Sequence, residues 1–290
     1  NYFANLCHAC GACYTDCQFS PPHEFNVNVP QTLAIARAES YAAYAWPRAF
    51  AGIFARNGLV ISLTSALSVA AFILGFAAYH DRQILFGVHT GPGAFYKLMP
   101  HNAMAALFGA VFLYAVAALV MGVRAFWRDI GEPVGMTADA PSLWQAIRDA
   151  GSLRYLDGGG VGCFNEDDRP TDRRRLYHHL TFYGFLLCFA STSVATLYHY
   201  LLAREAPYAW WDAPVVLGTL GGIGLLAGPL GLLAEKWKRD PALVDRQRMG
   251  MDTAFLAMLF LTGLTGMALL LLRETAAMGP LLALHLGVVF

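Results

Sequence analysis

Five stretches of this sequence, 57–79, 101–123, 176–203, 213–234 and 253–272, each run for twenty residues or more without a charged side chain. A helix that crosses a bilayer needs about 20 apolar residues, so every stretch is long enough to span. Charged residues make up 14% of the 290, against about 25% in soluble globular chains, and they gather between the stretches. Buried core helices of a large soluble protein are the competing reading, and five such runs in one chain weigh against it. A sixth apolar run starts after Glu274 and reaches Phe290. The expected fold class is an all-α membrane protein, a six-helix transmembrane bundle with its last helix truncated. The sequence opens without an initiator Met or a signal peptide and closes inside that last run, which together suggest a fragment.

Lys and Arg favour cytoplasmic loops. With five crossings, the segments on the N-terminal side are 1–56, 124–175 and 235–252, which hold three, eight and five basic residues. The other side holds Arg82, Lys97, Arg204 and Arg273. The bias places the N-terminus in the cytoplasm, a reducing compartment where clustered thiols bind metals rather than form disulfides.

The chain begins NYFANLCHACGACYTDCQFSPPHEF, with Cys7, Cys10, Cys13 and Cys17 inside eleven residues. This C-x2-C-x2-C-x3-C spacing is the bacterial iron–sulfur run. Zinc is the alternative, but zinc sites usually bring two close pairs separated by a longer stretch, and no second pair follows. In two-cluster ferredoxins the fourth Cys of each run ligates the other cluster. On that plan Cys7, Cys10 and Cys13 hold one [4Fe-4S] cluster, and Cys17 serves a second whose remaining ligands lie upstream of Asn1. The competing plan is one cluster held by all four. The usual Pro after the fourth Cys is Gln18 here. His8 is expected to be solvated or beside the ligands, and His23 to be structural.

Histidines in or at the ends of apolar spans are costly and often functional, and imidazole is a common axial ligand of haem iron. His178 and His199 are 21 residues apart in the third span, about 31 Å of helix, and about 60° apart around it. His179 and His199 are about 160° apart. His178 therefore shares a face with His199, one near each membrane surface. A bis-histidine haem b needs a second ligand at equal depth on another helix. His285, early in the sixth run, is the partner expected for His199, and the partner of His178 is expected beyond Phe290. Interfacial histidines that cap helices or meet lipid headgroups are the alternative. His101, at the start of the second span, is read first as a helix-end residue, with haem ligation or a quinone pocket as competing roles. His179 is a weaker candidate, and His80 and His89 are expected to be solvated.

The remaining signals divide the chain into an iron–sulfur segment (1–29), a connector helix (30–56) and a membrane domain (57–290) with a cytoplasmic loop at 124–175. In the connector, Leu33, Tyr41 and Tyr44 suit a membrane surface. LDGGGVGCF in the loop lacks the G-K-[ST] of a phosphate loop and reads as a flexible turn. Cys163 alone is a weak signal near the clusters, and Cys188 reads as packing. Glycines 221, 222, 224 and 228 with Pro229 suit either a broken helix or tight helix packing. No Ser/His/Asp set, paired catalytic carboxylates or nucleotide fingerprint is evident, and no nucleic-acid partner is expected.

NLCHACGACYTDCQFSPPHEFNVNVP, RRRLYHHLTFYGFLLCFASTSVATLYHYLL and LHLGVVF resemble the tricarballylate (citrate) utilization protein B family over nearly the whole chain. The resemblance implies two ferredoxin-type cysteine runs ahead of a cytochrome b-like membrane domain, itself similar to the gamma subunit of respiratory nitrate reductase. Here the first run and the end of the last helix are absent. It further implies two [4Fe-4S] clusters and one or two haem b groups in the full-length form, set in the bacterial inner membrane. The implied role is to reoxidise the FAD of a partner tricarballylate dehydrogenase and pass electrons to the membrane, with quinone as acceptor. A related arrangement is fused to the flavoprotein in a cobalamin-biosynthesis protein. The expected function is thus an electron-transfer component, a part of an oxidoreductase complex rather than a stand-alone catalyst. The alternative is a multi-span transporter or structural membrane protein with a metal-binding regulatory head.

Overall fold

Backbone groups inside a bilayer must be satisfied within their own segment, and a helix does this without partners. The computed structural model, which describes residues 2–131, 139–165, 169–245 and 249–290, is accordingly built of helices. Short α1 (Tyr2–Leu6) and α2 (Ala12–Thr15) flank the first cysteines, and α3 (Val29–Ala43) leads into a 3₁₀ segment, Arg48–Arg56. Then come α4 (Asn57–Tyr79), α5 (Arg82–Leu85), α6 (His101–Asp129) and α7 (Ala140–Ser152). A two-residue strand β1 (Cys163–Phe164) pairs antiparallel with β2 (Pro170–Thr171), Cys163 opposite Thr171. The chain continues as α8 (Arg173–Leu202), α9 (Ala213–Trp237), α10 (Gly250–Leu272) and α11 (Met278–Val289).

Among the described residues, five helical segments are long and apolar enough to cross a membrane: Arg48–Tyr79, His101–Asp129, Arg173–Leu202, Ala213–Trp237 and Gly250–Leu272. They coincide with the five uncharged runs. Leu59, Leu63, Leu67 and Leu74 of α4 and Leu113 and Leu119 of α6 are exposed. Apolar surface of that extent is a lipid- or partner-facing feature, and the chain is a multi-pass, all-α membrane protein. Parts of the loop expected at 124–175 and of the basic segment 235–252 lie outside the described residues.

The chain forms two compact units, each discontinuous in sequence. The first comprises 1–58, 114–176 and 233–251. Asn28 starts α3 by accepting the amide of Gln31, with Pro30 in the first turn, the arrangement that best satisfies a helix N-terminus. On the far side of α3, Ser40 is buried and accepts from Asn5 at 2.9 Å, which fastens the segment before the cysteines. The Tyr44 hydroxyl, expected at the membrane surface, donates to Asp129 on α6 at 2.5 Å. The glycine run expected as a flexible turn instead leads into β1. Gly162 (φ +100°) brings the chain so close to β2 that a Cβ there would stand 2.8 Å from the Thr171 backbone.

The second unit comprises 59–113, 177–232 and 252–290. Its core gathers Phe76, Leu85, Leu98, Met278, Leu282 and Leu286. Beside it, α9 is one continuous helix with Pro229 inside it, so the broken-helix reading does not hold. The glycines serve close packing. A Cβ on Gly184 of α8 would stand 3.0 Å from the Gly221 carbonyl, and one on Gly221 would stand 2.7 Å from Cys188 Sγ. Small residues that let backbones touch are the usual means of holding helices together in lipid.

Candidate functional site

Where α1 ends, the Cys7 amide still donates to Phe3, and the chain then turns sharply. Ala9 takes a left-handed φ of +51° while its amide points at Cys7 Sγ, 3.3 Å away. Gly11 (φ +87°) caps α2 and presses against Leu243 and the Phe164 side chain. Only glycine takes this conformation without cost, and the contact is too close for a side chain. Cys13 then sits on α2, and Cys17 follows it, its amide donating to Tyr14. Amides of a left-handed turn aimed at sulfur are the backbone arrangement that suits a thiolate-held anion.

The loop is held from outside by its carbonyls. Arg37 of α3 donates to the Cys7 carbonyl. Arg174 of α8 donates to His8 at 2.5 Å and Ala9 at 3.0 Å, and Arg239 donates to Ala9 at 2.6 Å. The Phe164 amide of β1 donates to the Cys10 carbonyl at 2.7 Å, which places the buried Cys163 beside the loop. Neither the arginines nor the strand was evident in the sequence, because each comes from a remote segment. Burial pushes the Cys163 thiol up, and burial followed by the neighbouring Cys10 and Cys7 thiols pushes Cys13 up. Burial, then Arg174, holds His8 below its usual value, so its ring is neutral. His8 Nε2 is buried with no partner among the described residues, so of its two expected placements it takes the one beside the cysteines.

The donor set fits an iron–sulfur cluster. Soft thiolates at this spacing, with a backbone amide 3.3 Å from Cys7 Sγ, are the ligands such a cluster takes. Among the described residues no carboxylate pairs with Arg37, Arg174 or Arg239, and Arg239 Nε is buried without a partner. Burial, with Arg174 and Arg37 close by, pushes Arg239 down to about 9. Positive charge gathered this way calls for an anion.

In the second unit the histidines fall out differently from the expected pairing. The His199 ring stacks on His101, centroids 3.7 Å apart and planes 18° apart. Tyr96 and Tyr200 stand edge-on to both rings, and the Tyr200 hydroxyl donates to Asn102 at 2.8 Å. The Nδ1 atoms of His101 and His199 are buried with no partner among the described residues. His285 instead lies against α10, its Nδ1 2.9 Å from the Thr265 hydroxyl. The expectation of a His199–His285 pair assumed straight antiparallel helices, whereas the short α11 turns His285 toward Thr265. His178 is half-buried, and His179 lies parallel to Tyr183. His80 bonds the Leu98 carbonyl and His89 the Ile84 carbonyl, both at 2.7 Å, so neither is merely solvated. His23 accepts from the Phe25 amide. The rings lie face to face, an arrangement that does not fit a haem held between them, and either imidazole would have to turn to donate to one. The paired aromatic neighbours, Tyr96 and His101 on one segment and His199 and Tyr200 on the other, were the signal available in the sequence.

A family model described as citrate utilization protein B matches residues 53–290, and one described as the citrate utilization protein B Fer4-like domain matches residues 1–43. Citrate utilization protein B of Escherichia coli is 48% identical over 290 residues, which is the whole of this chain and 75% of that protein. No solved structure matches. The cysteine loop lies in the segment matched as Fer4-like and the apolar helices in the other, and together they assign a membrane-associated iron–sulfur protein with an electron-transfer role. The chain belongs to the citrate utilization protein B family.

Proposed function

We propose that this chain is a membrane electron-transfer subunit that takes electrons from a partner FAD-dependent dehydrogenase and delivers them to quinone. Tricarballylate is the substrate of that partner, on the resemblance read from the sequence. The observation that carries the reading is the cysteine loop itself, with four thiols at ferredoxin spacing on a turn fixed by three arginines. When bound, an iron–sulfur cluster supplies one-electron transfer without a proton. Cys7, Cys10 and Cys13 hold it, the left-handed turn at Ala9 aims an amide at Cys7 Sγ, and the arginines offset its charge. Cys17 serves a second cluster in the longer chain, and the loop faces the cytoplasm from the inner membrane.

Haem b is the proposed carrier within the membrane, with His199 and His178 as donors on one helix face. For His199 the structure favours His101 as the neighbour, since the rings are already in contact. The direct test is iron and acid-labile sulfide analysis of the purified chain alongside Cys10→Ser. Iron and sulfide in equal amounts, lost in the variant, support the reading. Stoichiometric zinc without sulfide overturns it.

A further inference from the structure

Three guanidinium groups from three separate helices or loops close on three consecutive carbonyls, those of Cys7, His8 and Ala9. Backbone carbonyls are partial negative charges and do not neutralise three cations. Among the described residues no carboxylate pairs with any of the three. The nearby arginines that do have carboxylates make the contrast: Arg175 reaches Asp172 at 2.6 Å, and Arg154 reaches Asp149 at 3.3 Å. All three are half-buried and the Arg239 Nε is fully enclosed; partly desolvated charges without a counter-charge are costly, so three at one loop imply a negative centre that the loop holds.

We propose that Arg37, Arg174 and Arg239 are the counter-ions of the iron–sulfur cluster and raise its reduction potential. The inference rests on the proposed cluster and assigns what sets its redox poise. Reduction adds one electron, and so one negative charge, to a centre that thiolates have already made negative. The electron comes from a reduced flavin in the complex, or from dithionite in a cuvette, and no proton or leaving group moves. Fixed cations beside the loop favour the reduced form, and net charge and solvent exposure are the terms that set cluster potentials. The effect is largest where water screens least, so Arg239, whose Nε is buried, should contribute most. These are positioning residues, since they touch the loop's carbonyls rather than the iron.

The test is a dye-mediated redox titration of the full chain in nanodiscs, read by the electron paramagnetic resonance of the reduced cluster. Arg239→Gln should shift the reduction equilibrium about tenfold toward the oxidised cluster, a midpoint about 59 mV more negative for one electron. Arg239→Lys should retain most of the wild-type potential, and Arg37→Gln and Arg174→Gln should shift it in the same direction by less. Arg154→Gln, on the surface, should leave it unchanged. If all three Gln variants load iron and sulfide and titrate at the wild-type potential, the proposal is overturned. It is equally overturned if they lose iron while the cluster that remains keeps that potential, since the arginines are then only ties for the loop. Absence of iron and sulfide from the wild-type chain refutes the cluster reading itself, a separate outcome.

Discussion

The two candidate centres are held by opposite means. The cysteine loop is gripped through its backbone, by arginines and by one strand amide. The histidine pair is gripped through its side chains, ring on ring, with Tyr96 and Tyr200 at the edges. Charge explains the difference. A cysteine centre is an anion and needs cations and amide dipoles around it. A stacked ring pair needs only shape and an aromatic wall, which packed apolar helices supply.

The comparison breaks first at the cysteines. Cys10→Ser should remove essentially all iron and sulfide from the N-terminal loop and bleach its broad absorption. His101→Ala should leave that iron in place. Loss of loop iron in His101→Ala would mean the two centres are not independent. Next comes the count. Adding the upstream segment should double iron and sulfide per chain, if Cys17 serves a second cluster. An unchanged count assigns all four cysteines to one cluster.

The histidines offer the sharpest discrimination. In reduced-minus-oxidised spectra of membranes, His199→Ala and His101→Ala should lose the same haem bands, and His285→Ala should keep them. If His285→Ala is as severe as His199→Ala and His101→Ala is mild, the depth-matched pair expected from sequence is restored. The smallest effect belongs to Gly11→Ala. Forcing a Cβ into a left-handed conformation costs about 1–2 kcal/mol, and at Gly11 it also meets Leu243 and Phe164. Iron should be released from the variant faster under chelator, with the helical content of the membrane domain unchanged. A release rate equal to wild type would show that the loop tolerates another turn.

The membrane helices were legible because charge is so costly in hydrocarbon that its absence over twenty residues is a signal by itself. The cysteine run was legible because its ligands are local. What the sequence hid depended on distant pairing. Phe164 belongs to a strand only because Thr171 and Cys10 stand beside it, and two residues carry no period. Arg174 stands in a run of three arginines ahead of an apolar span, where nothing local marks it out, yet its guanidinium lies on the cysteine loop. The ring contact of His199 with His101 was not legible because depth along a helix does not fix azimuth. His285 turns its ring toward Thr265.

The row of glycines on α9 sets a length scale for α8. Gly221 and Gly224 meet Gly184, Gly228 meets Thr181, and Gly231 meets the Tyr177 ring, so the two helices engage like the graduations of a vernier. Sliding α8 by a single residue, about 1.5 Å, takes every one of these matches out of coincidence at once. His199 rides on that scale, and its height in the second unit is calibrated by residues that have no side chains of their own.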